Sequence, residues 1–355
     1  MKVMYVVGYD ISTLGGGQKS VKTCLEVTAN FGYHVSLVSP YIENGIELKN
    51  VKYNFYKRYN YRAINLILNT YSIYKYIRSE KPDIINCQYI GSIIFVGLLK
   101  KLRLINNKVI YTDRGFLEAY GTTVSILLKF IEKSIDKVIC TTEENKKCWE
   151  NRFPNLKFKV IENIIDDDWK EVVSLNSKNK DLCIGFSARF VPYKRWEDVI
   201  EIINCLEEYN IHFNLAIVWE KSQEKEIRKF KDRIKNSNVT FYDNLKIKDM
   251  KRFYSENDIF ILTSEKESFG RTLIEAMSQK CVVIGTNSGG VPSVIHKNLY
   301  NIGDLRACIE IILKYYNDSD LLKKDKDYFY LEFKNIFTKE IFSNKLLEAY
   351  KEVRI

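Results

Sequence analysis

No stretch of the sequence approaches the ~18 uninterrupted apolar residues of a membrane-spanning helix. The opening run Met1-Lys2-Val3-Met4-Tyr5-Val6-Val7-Gly8 is too short for a signal peptide and ends in a turn signal. The eight cysteines contain no Cys-x-x-Cys pair, and several fall inside apolar runs. That scatter excludes a disulfide framework and fits a reducing compartment. Histidine is scarce: His34, His212 and His296 neighbour neither one another nor a cysteine, so no metal site is expected. Neither a low-complexity tract nor a repeat of solenoid period is present. What remains is a globular protein, expected in the cytoplasm, that must hold itself together by packing.

The material for packing is ample. Hydrophobic residues make up 46% of the chain and charged residues 28%, and 355 residues suit two domains better than one. Charge is uneven. Through residue 165 there are 24 Lys and Arg against 14 Asp and Glu, while the remainder has 31 of each, so the net +10 belongs to the first half. It is densest between Lys52 and Arg78, where Lys57, Arg58, Arg62 and Lys75 interleave with Tyr53, Phe55, Tyr56, Tyr59, Tyr61, Tyr71, Tyr74 and Tyr76. Such a face suits an anionic membrane surface. Nucleic acid is not an expected partner, because no known binding module accompanies the charge.

Short apolar runs alternate with amphipathic ones. Strands are expected at Val3–Val7, Val35–Val38, Ile84–Cys87, Lys108–Tyr111, Lys137–Thr141 and Lys159–Glu162, with helices at Gln18–Phe31 and Ala63–Ser79 between them. A polar passage, residues 166–180, reads as a linker. A second series follows at Leu182–Ser187, Phe213–Val218, Val239–Tyr242, Asp258–Leu262 and Val282–Thr286. Strands spaced by helices predict parallel sheets. The expected class is therefore α/β: two Rossmann-like domains, residues 1–165 and 181–338, with a cleft at their strand ends. The tail from Lys339 to Arg354 is one amphipathic helix, with Phe342, Leu346, Leu347, Tyr350 and Val353 in its apolar stripe.

Four segments carry the chemistry. Glu267 and Glu275 flank Ser268-Phe269-Gly270-Arg271-Thr272, which reads as a turn from a buried strand into a helix. The two carboxylates can lie on the order of 10 Å apart, about the span of a nucleoside-diphosphate sugar. The helix start between them offers backbone N–H groups to a diphosphate. Arg189 and Lys194 leave another strand end and can meet the charge growing on a leaving diphosphate. Gly16 and Gly17, in Leu14-Gly15-Gly16-Gly17-Gln18, let a ligand approach the backbone after the first strand. Thr286-Asn287-Ser288-Gly289-Gly290-Val291-Pro292 supplies a further turn. The pattern is not Gly-x-Gly-x-x-Gly, which speaks against a nicotinamide cofactor.

Together these segments resemble the retaining glycosyltransferases of family 4, which have the GT-B fold. Lys81-Pro82-Asp83-Ile84-Ile85 and Val160-Ile161-Glu162-Asn163-Ile164-Ile165-Asp166 extend the resemblance over nearly the whole chain. It implies that Glu267 contacts the donor sugar, Glu275 the ribose, and Arg189 and Lys194 the diphosphate. It also implies that no metal or other cofactor is required, that the first domain binds a glycan or lipid-linked acceptor, and that the last helix returns to the first domain. Peripheral attachment at the inner face of the cell membrane is expected. The sequence departs from the family where histidines are usual: Asn86, Gln88 and Tyr111-Thr112-Asp113-Arg114-Gly115 stand there, and either Asp113, the candidate replacement, takes over the contact to the sugar or the site lacks that contact. Asp166-Asp167-Asp168 falls in the linker and is not read as a metal motif. The competing readings are a nucleotide-sugar epimerase of the same fold and a non-catalytic partner in glycan assembly.

Overall fold

The computed structural model describes residues 1–12, 16–40, 48–57, 62–115, 117, 120–165, 169, 171–173 and 181–354. Leu14, Gly15, Arg58–Tyr61, Asp166–Asp168 and most of the linker lie outside them. The chain forms two compact units, one of residues 1–163 with 340–355 and one of residues 164–339.

In the first unit the order is β1 (Lys2–Val6), α1 (Gly16–Asn30), β2 (His34–Pro40), β3 (Val51–Tyr56), α2 (Arg62–Glu80), β4 (Ile84–Cys87), α3 (Ile90–Lys101), β5 (Lys108–Asp113), α4 (Thr122–Ile131), β6 (Lys137–Cys140), α5 (Glu143–Arg152) and β7 (Phe158–Val160). The strands pair in parallel in the order β3-β2-β1-β4-β5-β6-β7. Val3, Met4, Tyr5 and Val6 are all fully buried, as a strand covered on both faces requires. Strand order reverses between β1 and β4, and the crevice beyond their carboxyl ends is where such sheets bind ligands. An aromatic side chain closes on the backbone there: a Cβ on Gly8 would come within 2.4 Å of the Tyr89 ring.

Two strands differ from expectation, Leu299–Tyr300 in the second unit and one in the first. Val51–Tyr56, read above as part of a basic aromatic face, is the edge strand β3. Tyr56 is buried and donates to the Val7 carbonyl at 3.0 Å, while Lys52 points out and pairs with Glu80 at 2.7 Å. An outward lysine on an edge strand discourages pairing with another chain.

The second unit runs β8 (Leu182–Arg189), α6 (Trp196–Cys205), β9 (Ile211–Val218), α7 (Glu224–Asp232), β10 (Val239–Asp243), α8 (Ile247–Ser255), β11 (Ile259–Leu262), α9 (Arg271–Ser278), β12 (Val282–Thr286), β13 (Leu299–Tyr300), α10 (Leu305–Asn317) and α11 (Ser319–Ile336). Its parallel sheet, β10-β9-β8-β11-β12-β13, reverses order between β8 and β11. The last helix, α12 (Lys339–Arg354), completes the first unit, as expected. Its Tyr350 is fully buried; the hydroxyl pairs with that of Tyr5 and accepts from Asn86 Nδ2 at 2.9 Å. Lys345 pairs with Glu162 at 2.6 Å, and Lys159 reaches Glu348 and Glu352 at 2.8 and 2.7 Å.

Candidate active site

The reversal point of the second sheet gathers most of the predicted residues. β8 ends at Arg189, and a single 3-10 turn, Pro192–Lys194, follows it. β11 ends at Leu262, four residues before Lys266 and five before Glu267. Two hydrogen bonds bind these loops together: Thr263 Oγ1 donates to the Lys194 carbonyl at 2.7 Å, and the Glu265 amide donates to the Tyr193 carbonyl at 2.8 Å. Lys194 Nζ and Glu267 Oε2 are thereby held 2.5 Å apart, with side chains only 15% and 18% exposed. Sheltering two charges costs hydration that their attraction must offset. A ligand that offers hydroxyls to the acid and phosphate to the ammonium can take over both roles.

Glu267 is fixed from its backbone as well. Its carbonyl accepts from the Gly290 amide at 2.8 Å, so that amide of the Ser288–Pro292 turn supports the acid and is not open to a ligand. After Glu267 the chain turns through Gly270, whose φ of 89° is a conformation glycine adopts without strain, and enters α9. Ser268, Arg271 and Thr272 are partly exposed at this helix start. Phe269 is not: its ring is buried edge-on against Phe337, centroids 5.9 Å apart, and only its backbone remains for a ligand. Glu275 lies one turn into α9. The hydroxyl of fully buried Tyr254 donates to it at 3.0 Å, and burial, followed by the Glu275 charge, pushes that phenol well above its usual range. Arg189 is more exposed and donates from Nη2 to the Tyr193 hydroxyl at 2.7 Å.

The first unit treats its predicted residues differently. Gly16 and Gly17 open α1, and the Gly16 carbonyl accepts from Ser20 Oγ at 2.9 Å. Asp113 does not face an open crevice. It is fully buried at the end of β5; Oδ1 accepts from the hydroxyls of Tyr120 (2.8 Å) and Tyr111 (3.1 Å) and from the Gly115 amide (3.1 Å). Oδ2 accepts from Trp149 Nε1 at 2.7 Å and Asn145 Nδ2 at 3.1 Å. Both oxygens are saturated, so the expected contact between Asp113 and a sugar is withdrawn. Its neighbour Arg114, partly exposed, points the other way.

Comparison with known proteins agrees with the geometry. A family model described as Glycosyltransferase Family 4 matches residues 14–169, and one described as Glycosyl transferases group 1 matches residues 167–328. The HepE protein of Anabaena in complex with UDP superposes with a TM-score of 0.82 at 13% identity, over 99% of this chain and all of that one. The chain is a glycosyltransferase of the GT-B fold. The transferase is 25% identical over 261 residues, 68% of its length and 71% of the relative's, to an uncharacterised 41.2 kDa protein in the cps region of Klebsiella pneumoniae. It is 24% identical over 171 residues, 46% of its length and 43% of the relative's, to the capsular polysaccharide biosynthesis glycosyltransferase CapM of Staphylococcus aureus. Among the described residues of the transferase, no group of three or more His, Cys, Asp or Glu could hold a metal ion, and no helix is long and apolar enough to cross a membrane.

Sequence reading overlooked the parts of the transferase that hold its acids in place. Tyr254 lies 21 residues before the Glu275 it orients, and Thr263 lies 69 beyond Lys194. Nothing in the linear spacing signals either pair. Arg114 could have been found, because residues adjacent in a strand face opposite sides of the sheet.

Proposed function

We propose that this protein is a retaining glycosyltransferase of family 4, moving a hexose-like sugar from a nucleoside-diphosphate donor to a hydroxyl of a lipid-linked glycan. The sheltered Lys194–Glu267 pair at the reversal point carries this reading. Sugar hydroxyls replace Lys194 as donors to Glu267, and the ammonium so released turns to the diphosphate. As the glycosidic bond breaks, Lys194 and the Arg189 fork meet the charge growing on the leaving phosphate. Glu275, held by Tyr254, accepts from a ribose hydroxyl, and the start of α9 between the two acids receives the diphosphate at its backbone amides. In a retaining reaction the leaving phosphate stays on the face that the acceptor attacks and takes the acceptor's proton. The UDP bound to HepE makes UDP-sugars the first donors to try, and the relation to CapM favours a polysaccharide acceptor.

Lipid linkage would bring the enzyme to a membrane. The first unit offers a surface for it at α3 and α4: Leu102, Ile126 and Phe130 are more than half exposed, Lys101 Nζ lies 4.3 Å from the centroid of the Phe130 ring, and Arg103 follows in sequence. It stands beside the Lys52–Arg78 face, which buries Tyr56 but exposes Phe55, Lys57, Tyr71, Lys75 and Arg78.

The test is nucleotide-sugar turnover by the purified protein across UDP, GDP, ADP and dTDP sugars, with Lys194→Ala beside the wild type. Turnover should be found with one nucleotide and fall about a hundredfold in the variant, with donor KM changed much less. A product with inverted anomeric configuration would remove the retaining assignment. Equal turnover in the variant would remove Lys194 from the mechanism.

A further inference from the structure

Arg114 sits at the carboxyl end of β5 with four of its five N–H groups on neutral acceptors. Nε and Nη2 donate to Gln88 Oε1 at 3.3 and 3.2 Å, Nη2 also to Cys24 Sγ at 3.3 Å, and Nη1 to Asn163 Oδ1 at 2.7 Å. These partners are themselves held in place. Gln88 donates to Asn86 at 2.8 Å, and Asn163 Oδ1 also accepts from Ser20 at 3.0 Å. The second N–H of Nη1 has no acceptor among the described residues. No carboxylate there pairs with the guanidinium: Asp113 has its own five donors on the other face of the strand, and Glu162 is taken by Lys345. A guanidinium cannot give up its charge. The result is a rigid, partly exposed, uncompensated cation beside the reversal point of a unit that carries the protein's whole positive excess.

We propose that Arg114 recognises an oxyanion, carboxylate or phosphate, on the acceptor glycan, and so selects acidic acceptors over neutral ones. This rests on the transferase reading above and names its acceptor class. A neutral sugar would leave the cation as it is. An oxyanion would accept the spare N–H in a charge-assisted bond and neutralise the charge at once.

The experiment compares transfer from the donor identified in the nucleotide screen to three acceptors of one alkyl chain: a glucoside, a glucuronide and a glucose phosphodiester. Wild type should favour one acidic acceptor over the glucoside by about tenfold or more in kcat/KM, and which one shows whether carboxylate or phosphate is read. Arg114→Gln should bring that ratio to near one. Arg114→Lys, which keeps the charge but loses the fork, should leave an intermediate ratio and also covers the case in which the glutamine variant folds poorly. No preference in the wild type, or a preference that survives Arg114→Gln, overturns the proposal while leaving the transferase reading intact. Failure of every nucleotide sugar to turn over, with or without acceptor, overturns the transferase reading and this proposal with it.

Discussion

Where strand order reverses in the second unit, a lysine and a glutamate touch; one strand beyond the reversal in the first, at the end of β5, the acid turns inward and a guanidinium is left facing neutral side chains. The two sheets share the order of their first six strands, the first unit adding a seventh, so strand order alone does not account for the difference. It arises from which residue of a strand end lies on which face. In the second unit both charges stand on loops beyond the strands, free to meet, and a ligand can take over either partner. In the first, Asp113 is still within β5, and its parity sends it to Tyr111, Tyr120, Asn145 and Trp149. On the proposed function one carboxylate exchanges its partner for a ligand, while the other is structural.

Substitution can sharpen that contrast. Asp113→Ala is expected to have the largest effect, because it orphans five donors around a fully buried position, at a cost of ~3 kcal/mol or more. Thermal melting should show a fall of several degrees, whereas a Tm near that of the wild type would mean the donors find water. Glu275→Ala comes next. It should weaken UDP binding by ~1.5–3 kcal/mol, measured by calorimetry, as a ribose hydroxyl loses a charged acceptor. It also strands the Tyr254 hydroxyl; if stability falls and UDP affinity does not, Glu275 is structural like Asp113 and the contrast between the units narrows.

The smallest effect concerns α12. Hydrogen bonds from Lys137 and then Lys159 hold the Glu352 carboxyl below its ordinary value. A carboxyl depressed in the folded state adds stability above its unfolded pKa of about 4.3, and that stability is lost as pH falls through the folded value. The side chain is 41% exposed, so solvent screening keeps the contribution below ~1 kcal/mol. Glu352→Gln should therefore lower Tm slightly at pH 7 and converge with the wild type only once the pH has fallen below the depressed folded value. A difference that persists there would assign the effect to packing instead.

Much of the architecture was legible because it is local. Alternating apolar runs located most strands to within a residue or two, and the turn-to-helix segment around Gly270 announced itself through glycine and the apolar spacing of Leu273, Ile274, Ala276 and Met277. β3 was missed because its aromatics and cations resemble a solvated face until one sees that Tyr56 is inside and Lys52 outside. Within the candidate site, the residue types were readable but their partners were not. The Lys194–Glu267 contact spans 73 positions, and its closeness depends on loops tied by Thr263 and Glu265. Asp113 was misread because composition gives a residue's chemistry but not the face of the strand on which it falls.

The return of α12 also has a consequence in time. Phe342, Leu346, Leu347 and Tyr350 cover the first unit, yet they are made only after the whole second unit has been translated. At ~5–20 residues per second, the first sheet waits on the order of 10–35 s without them. Through that interval Tyr5 and Asn86 lack the Tyr350 hydroxyl, and the apolar surface under α12 is open to chaperones or to other nascent chains. The first unit begins synthesis early and is finished late, so the yield of folded enzyme depends on what shields this surface on the ribosome.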